Sequence, residues 1–323
     1  MKLQQLRYLK AVIDNNLNIS VAANSLFTTQ PGVSKQIRLL ESELGVKIFE
    51  RKGKSISAVT PIGKQIIDEA IDMLEKESRI KTIVRDHIKP EEGFLNIYTT
   101  NTIARYLIPE AVERFVKRYP KIKFHIGTSQ LDKYGHILKR GQSDFSILAQ
   151  NVEREKDIIV LPAYKWNLSL IVPKDHPLAK DRDISIEKIG AYPLISYEPG
   201  STGRSAQDKA FSAKGITPYY FMTVMDVEVI KKYVNLGYGI GIIAQVAAQD
   251  VVDENLVSIP LNDIIPACDA WLCYSRNLFL QKYMLDFIEL FCPHLTREVM
   301  EDIAHCSDNE ILKISEQFEL PEY

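Results

Sequence analysis

Two fold classes are written into one chain: a helical head carrying a winged helix-turn-helix over the first ninety residues, and behind it an α/β body of two lobes. Three observations predict this. Apolar residues recur at helical spacing as far as about residue 88. From Phe94 the pattern changes to short apolar strands alternating with helices, the signature of an α/β domain with largely parallel sheets. Charge divides the same way: residues 1–64 hold ten Lys and Arg against four Asp and Glu, whereas the remainder holds 30 against 38. A basic head on an acidic body suits a head that meets phosphate.

The head opens with a helix whose apolar face is Leu3, Leu6, Leu9, Val12 and Ile13. Asn15-Asn16 ends it, and either Asn18 or Ser20 can cap a short second helix containing Val21, Ala22 and Ala23. Thr28-Thr29-Gln30-Pro31-Gly32 is a turn into a third helix, with Thr29 or Gln30 at the cap and Pro31 in the first turn, where a missing N–H costs nothing. Val33, Ile37 and Leu40 line the core face of that helix. Gly45 stops it, and Ile48, Phe49 and Arg51-Lys52-Gly53-Lys54 read as a small hairpin, or wing. Thr60-Pro61 then starts a helix reaching about Ile88, striped by Ile62, Ile66, Ala70, Leu74, Ile80, Ile83 and Val84. So long a striped helix suits pairing with a second copy of itself.

Lys89-Pro90-Glu91-Glu92-Gly93 is the hinge into the body. There, strands are expected at 94–98, 122–126, 144–148, 168–172, 194–197 and 219–224, with a buried segment at 241–244. Helices are expected at 103–118, 132–139, 203–214 and 226–236. The domain boundaries that follow are 1–60 for the winged head, 61–89 for the linker helix, 90–292 for the two-lobed body with a second lobe over about 164–266, and 293–323 for a charged helical extension.

Several function classes are excluded or disfavoured. No apolar run reaches the roughly 20 residues that span a bilayer, and the opening MKLQQLRYLKAV lacks the apolar core of a secretory signal. A cytoplasmic protein without a membrane partner is expected. Four cysteines in 323 residues do not make a disulfide framework. Gly237-Tyr238-Gly239-Ile240-Gly241 follows a helix and precedes a strand, the wrong order for a dinucleotide loop, and reads as a helix stop. The spacing of Cys292, His294, His305 and Cys306 matches no standard zinc finger, Cys268 and Cys273 read as packing residues, and His125 reads as a satisfied strand histidine. Neither a serine–histidine–acid set nor a carboxylate pair stands out, so no catalytic residue, cofactor or metal is assigned and an enzyme is not expected.

The helix-turn-helix carries the strongest chemistry. The major groove admits one helix, whose exposed donors read base edges. Gln30, Ser34 and Arg38 stand where bases would be read, Lys35, Arg51, Lys52 and Lys54 where double-stranded promoter DNA would offer phosphate, and Thr29 is a further DNA-binding candidate at the helix start. In the body, Thr100 and Thr102 follow a strand and open a helix, and Thr202-Gly203 does the same after strand 194–197. Hydroxyls and free amides at helix N-termini attract a small anion or carboxylate, although threonines in such places also serve as plain caps.

Ala22-Ala23, the run from Thr29 to Ile37, Leu40-Glu41, Leu44-Gly45, Ile48-Phe49, Arg51 and Thr60-Pro61-Ile62-Gly63 together resemble the signature of LysR-type transcriptional regulators. The opening Met1 to Tyr8, the segment Thr99 to Tyr106, Ser201 to Ser205 and Phe291 to Arg297 resemble the cysteine-regulon subgroup typified by CysB and Cbl, and these landmarks run from end to end. The resemblance implies a homotetramer that binds promoter DNA, often as an activator. It also implies an effector domain like the periplasmic binding proteins and a sulfur-metabolism signal such as acetylserine or sulfate. It places Thr100, Thr102 and Thr202 in the ligand site. The chain departs from the pattern where Ile103 stands for a glutamine and Ala149-Gln150 for a threonine–glutamate pair, which suggests an altered effector. Two rivals stay open: a LysR-type regulator of another pathway, and an α/β solute-binding or enzymatic protein with an accessory helical domain.

Overall fold

The structure is a computed structural model that describes residues 1–53, 55–88, 92–128, 134–139, 141–149, 152 and 154–323. The chain forms two compact units, Met1–Ile88 and Lys89–Tyr323.

In the first unit α1 (Leu3–Asp14), α2 (Ile19–Ser25) and α3 (Gln30–Leu44) close around Leu6, Leu9, Val12, Ala22, Val33, Ile37 and Leu40. Asn18 is the cap of α2, accepting from the amides of Ser20 at 3.0 Å and Val21 at 3.1 Å. Thr29 is the cap of α3, accepting from the Gly32 amide at 3.3 Å. Gly45 ends α3 with φ 70°, a left-handed turn that glycine adopts without a Cβ penalty. The wing is an antiparallel pair, β1 (Phe49–Lys52) and β2 (Ser55–Val59).

The long helix α4 spans Pro61–Ile88. Its start is fixed by Thr60, whose hydroxyl donates to Lys47 O at 2.6 Å and accepts from Gly63 N at 2.9 Å. A Cβ on Gly63 would lie 2.1 Å from Ile48 O, so this glycine is what lets the helix sit against the root of the wing. The expected single stripe divides in two. Ile67 and Ala70 are buried in the head's own core, with Ile66, Ile71 and Leu74 packed beside them. Burying Ile67 alone contributes about 1.5–3 kcal/mol. Only Ile62, Met73, Ile80 and Val84 remain as large exposed apolar residues among the described side chains of α4, which do not include Ile83. Part of the stripe in the first half of α4 therefore serves the head, and Ile80 and Val84 in the distal half, with Ile62 and Met73, are open to a partner.

The second unit contains, in order, β3 (Gly93–Thr99), α5 (Asn101–Tyr106), α6 (Ile108–Arg118), β4 (Ile122–Thr128), α7 (Tyr134–Lys139), β5 (Phe145–Leu148), β6 (Ile158–Trp166) and β7 (Leu168–Pro173). Then come α8 (Ile186–Gly190), β8 (Leu194–Tyr197), α9 (Thr202–Ala213), β9 (Tyr220–Val224), α10 (Val227–Asn235), β10 (Ile240–Ala244), β11 (Leu256–Pro260) and β12 (Cys268–Ser275). Helices α11 (Lys282–Phe291), α12 (Arg297–Ile303) and α13 (Asp308–Ser315) complete it. Two five-stranded sheets form the two lobes, in the orders β4-β3-β5-β12-β6 and β11-β7-β10-β8-β9.

The sheets are mixed rather than largely parallel. Strand β12 runs antiparallel to both β5 and β6, and β7 antiparallel to both β10 and β11, because these strands carry the chain between lobes. The expected helix over 103–118 is two helices, broken at Leu107 just ahead of Pro109. The part of helix 132–139 that falls on 132 and 133 lies outside the described residues, as do Lys89, Pro90 and Glu91 of the hinge. Nor is the region after residue 293 an appendage: Leu295, Met300, Ile303 and Ile311 are buried in the main core of this unit.

Candidate functional site

On the head, the recognition face is built by helical periodicity. Val33, Ile37 and Leu40 are fully buried and fix the rotation of α3. Gln30, Pro31, Ser34, Lys35, Arg38 and Leu39 consequently line one open concavity of about 430 Å³ on the opposite side. Thr29, Lys35 and Arg38 are exposed, as is Lys52 on the wing. Lys54 lies outside the described residues.

Arg51 is placed differently from the expectation. Its side chain is 17% exposed and its Nη2 stands 3.6 Å from Glu41 Oε2. Glu41 is itself buried, and its Oε1 accepts from the amides of Ile48 at 2.9 Å and Phe49 at 3.1 Å. The carboxylate thus ties the reading helix to the start of the wing, and Arg51 balances its charge. A guanidinium turned inward onto a carboxylate does not fit a phosphate grip. Phe27, which the sequence reading passed over, is 99% exposed in the turn before α3 with φ 51°. An aromatic ordinarily signals core, so its exposure could not be read from residue type.

The second candidate site lies where the lobes meet. Thr100 caps α5, its hydroxyl accepting from Ile103 N at 3.2 Å. Thr102 lies in the first turn of α5, and the Tyr197 hydroxyl accepts from Ala244 N at 3.0 Å. Burial pushes the Tyr197 phenol well above its ordinary pKa, so it stays neutral. Tyr197 in turn flanks the start of α9. A Cβ on Gly203 would lie 3.1 Å from Trp166 Cη2 and 3.2 Å from the Tyr197 ring, so both rings pack closely on this glycine at the helix end. Thr202, its neighbour, lines a groove of about 680 Å³ bounded by Ile184–Glu187, one face of α9, and Cys268, Asp269 and Trp271 of β12. Thr100 and Thr102 do not line that groove.

Two donors there are buried and, among the described residues, without a hydrogen-bond partner: Thr202 Oγ1 and Trp166 Nε1. Trp166 is 7% exposed. Leaving such groups unpaired costs about 1–3 kcal/mol each. Arg204 does not supply charge to them: it donates through Nη1 to Tyr197 O at 3.2 Å and through Nε to Asp208 at 2.9 Å, and stacks on Tyr220. The groove therefore offers the Thr202 hydroxyl at a helix N-terminus, with Lys209 and Lys214 on the same lining. A second set of contacts bridges the lobes at α5 and α10. Asn101 donates to Asp226 at 3.2 Å, Tyr106 donates to Glu228, and Lys231 donates to Tyr106 at 2.8 Å.

The remaining sequence candidates fall elsewhere. Ile103 is 2% exposed in the apolar core of its lobe, so its side chain replaces packing rather than a cleft donor. Ala149 is partly buried against the same core, and Gln150 lies outside the described residues. Gly237 ends α10 with φ 80°, and a Cβ on Gly239 would lie 2.4 Å from Pro193 O, as fits a tight helix stop. His294 contacts Pro162 O at 2.9 Å while burial lowers its pKa. Among the described residues no group of three His, Cys, Asp or Glu is placed to hold a metal, and no helix is long and apolar enough to cross a membrane. His125 is exposed on β4.

Residues 3–64 match the family described as bacterial regulatory helix-turn-helix protein, lysR family, and residues 89–295 match the LysR substrate binding domain. The chain is 42% identical to the HTH-type transcriptional regulator CysB of Haemophilus influenzae over 313 residues, 97% of each chain. It is 35% identical to the regulator SsuR of Burkholderia cenocepacia, covering 91% of this chain and 96% of SsuR. The crystal structure of the cofactor-binding domain of the Cbl transcriptional regulator matches with a TM-score of 0.63 at 32% identity, over 67% of this chain and 95% of that domain. With a reading helix and wing at one end, a two-lobed domain at the other, and both family signatures laid over them, the protein belongs to the LysR family of transcriptional regulators, in its CysB- and Cbl-like group.

Proposed function

We propose that the protein controls sulfur-assimilation and cysteine-biosynthesis genes, as a cytoplasmic homotetramer on promoter DNA, in response to a small anion or acetylated serine bound between the lobes of its second unit. Gln30, Ser34 and Arg38 read bases. Thr29, Lys35, Lys52 and Lys54 hold phosphate, while Arg51 braces the wing through Glu41. The effector is held by Thr100, Thr102 and Thr202, joined by Trp166 and Tyr197. The regulon is carried over from the names of the relatives. The ligand class rests on one observation: the buried, unpartnered Thr202 hydroxyl at the N-terminus of α9, in a groove whose lining includes Lys209 and Lys214. Helix N-termini favour negative charge, and neutral donors select an anion by hydrogen-bond geometry. Ligand binding would bias a pre-existing equilibrium between assembly shapes, because a ligand shifts only what it binds differentially.

Calorimetry with sulfate, thiosulfate and acetylserine tests the site. Thr202→Ala should weaken binding about tenfold, the worth of one hydrogen bond to a charged group. Unchanged binding by that variant removes Thr202 from the site, and failure of the wild type to bind any of the three refutes the ligand class. A gel shift on DNA upstream of sulfur-assimilation genes tests the regulon independently.

A further inference from the structure

Strand β6 is the last strand of its sheet, and its outer edge is covered by the end of the chain. Lys165 N donates to Pro321 O at 2.8 Å, Tyr323 N to Lys165 O at 2.9 Å and Asn167 N to Tyr323 O at 3.0 Å. Asn167 Nδ2 also donates to Glu322 Oε1 at 2.6 Å, and the Tyr323 ring meets Tyr164 edge-on at 5.2 Å. Covering an edge is useful in itself, but this stretch is also the passage between lobes. Asn167 is the one residue between β6 and β7, and its carbonyl accepts from Gln245 N at 2.8 Å, just past the end of β10. Between the two gripped residues sits Trp166, whose indole N–H is buried without a partner among the described residues and whose ring lies against Gly203, beside Thr202 at the start of α9.

We propose that residues 321–323 are a positioning strap for the effector cleft: by pairing with Lys165 and Asn167 they fix the Trp166 indole and the lobe-to-lobe connection, and so set effector affinity without touching the effector. The inference rests on the cleft reading above. In an extended strand the side chain of one residue is aimed by the backbone of its two neighbours. Both neighbours of Trp166 hand hydrogen bonds to the strap. The Glu322 carboxylate adds a charge-assisted bond to the connecting residue itself, which is stronger than a neutral one.

Fluorescence is read in the full chain carrying Trp271→Phe, where Trp166 is the one remaining tryptophan, and exchange and binding in the full chain with Trp271 kept, since Trp271 lines the groove. Glu322→Ala, and a chain stopped after residue 319, should red-shift Trp166 emission, raise its quenching by acrylamide and speed amide exchange at Gln245. Sulfate and acetylserine should bind roughly tenfold more weakly, the worth of one charge-assisted bond. Glu322→Gln, which keeps an acceptor oxygen, should restore most of each effect. Operator DNA affinity without effector should stay unchanged, which separates loss of positioning from loss of folding. Unaltered Trp166 emission and Gln245 exchange in both the alanine and the shortened chain overturn the strap. If the wild type binds neither probe, the cleft reading fails, and the fluorescence and exchange results still decide whether the strap positions Trp166.

Discussion

Glu41→Ala should melt the reading head while leaving the effector domain intact. The buried carboxylate accepts two wing amides at 2.9 and 3.1 Å and faces Arg51 at 3.6 Å. Removing it strands both amides and leaves a mostly buried guanidinium without its counter-charge. Each hydrogen bond to a charged group is worth about 1.5–3 kcal/mol, but such losses overlap, and breaking one partner of a buried charged cluster usually costs about 3–5 kcal/mol in all. For a unit of this size each kcal/mol lowers the melting temperature by roughly 4–8 °C, so the head should lose about 15–30 °C. Differential scanning calorimetry of the full chain should show the head transition moving and the body transition fixed. DNA affinity should fall for all sequences alike. Glu41→Gln keeps the acceptor for the amides and loses only the charge opposite Arg51, so its cost should be about 1–2 kcal/mol. A head transition within 3 °C or so of wild type in Glu41→Ala would sink the argument, since no relaxation of a small head can re-pair two buried amides at so little cost.

Other outcomes follow from the same coordinates. Arg38→Ala should cost about 1–3 kcal/mol of operator affinity and relax sequence preference. Lys52→Ala should instead weaken all sequences equally and reduce the slope of log affinity against log salt by roughly one; a salt titration of both variants on operator and scrambled DNA distinguishes them. Ile80→Asp, placed on the exposed distal half of α4, should shift the oligomer toward monomer in sedimentation velocity while leaving the head's melting temperature unchanged, and an unshifted distribution would refute pairing through that surface. The Glu228 contact should respond to acid. Burial opposes its ionisation, but hydrogen bonds from Tyr106 and Lys231 and the charges of Lys231 and Arg105 outweigh burial and hold its pKa below the ordinary 4.5. A lowered folded pKa gives stability that is present above pH 4.5 and is lost as pH falls below it. Glu228→Gln should therefore shrink the drop in the body's melting temperature between pH 6 and pH 4, and an equal drop in both proteins would count against the contact.

Much of the head was legible in the sequence because its rules are local. Asn18, Thr29, Pro31 and Gly45 act on backbone groups within four residues, and the reading face follows from Val33, Ile37 and Leu40 by helical spacing alone. The errors came from contacts between elements. Arg51 resembled a wing cation until Glu41, ten residues away, was seen facing it. The stripe on α4 looked continuous because burial against the head and exposure to a partner leave the same apolar residues in the sequence. In the body, β6 escaped notice because eight of its nine residues are buried, which erases the alternation that marks a half-exposed strand. The pairing directions of β7 and β12 depend on where the chain crosses between lobes, which no window of residues contains.

The same distinction explains what was legible in the cleft. Thr100, Thr102 and Thr202 could be singled out because each sits at or just inside a helix start that follows a strand, a local pattern. Whether such a threonine is spent as a cap or left to hold a ligand depends on what else reaches it. Thr100 is spent on Ile103 N. At α9 the cap is Ser201, not Thr202. Thr202 is left without a partner among the described residues, and the Trp166 ring, thirty-six positions earlier in the chain, packs against its neighbour Gly203. The idle Thr202 hydroxyl is therefore a matter of position: Ser201 stands at the cap of α9 and Thr202 one residue inside it, and Ser201→Ala would cost the helix a cap worth about 1 kcal/mol.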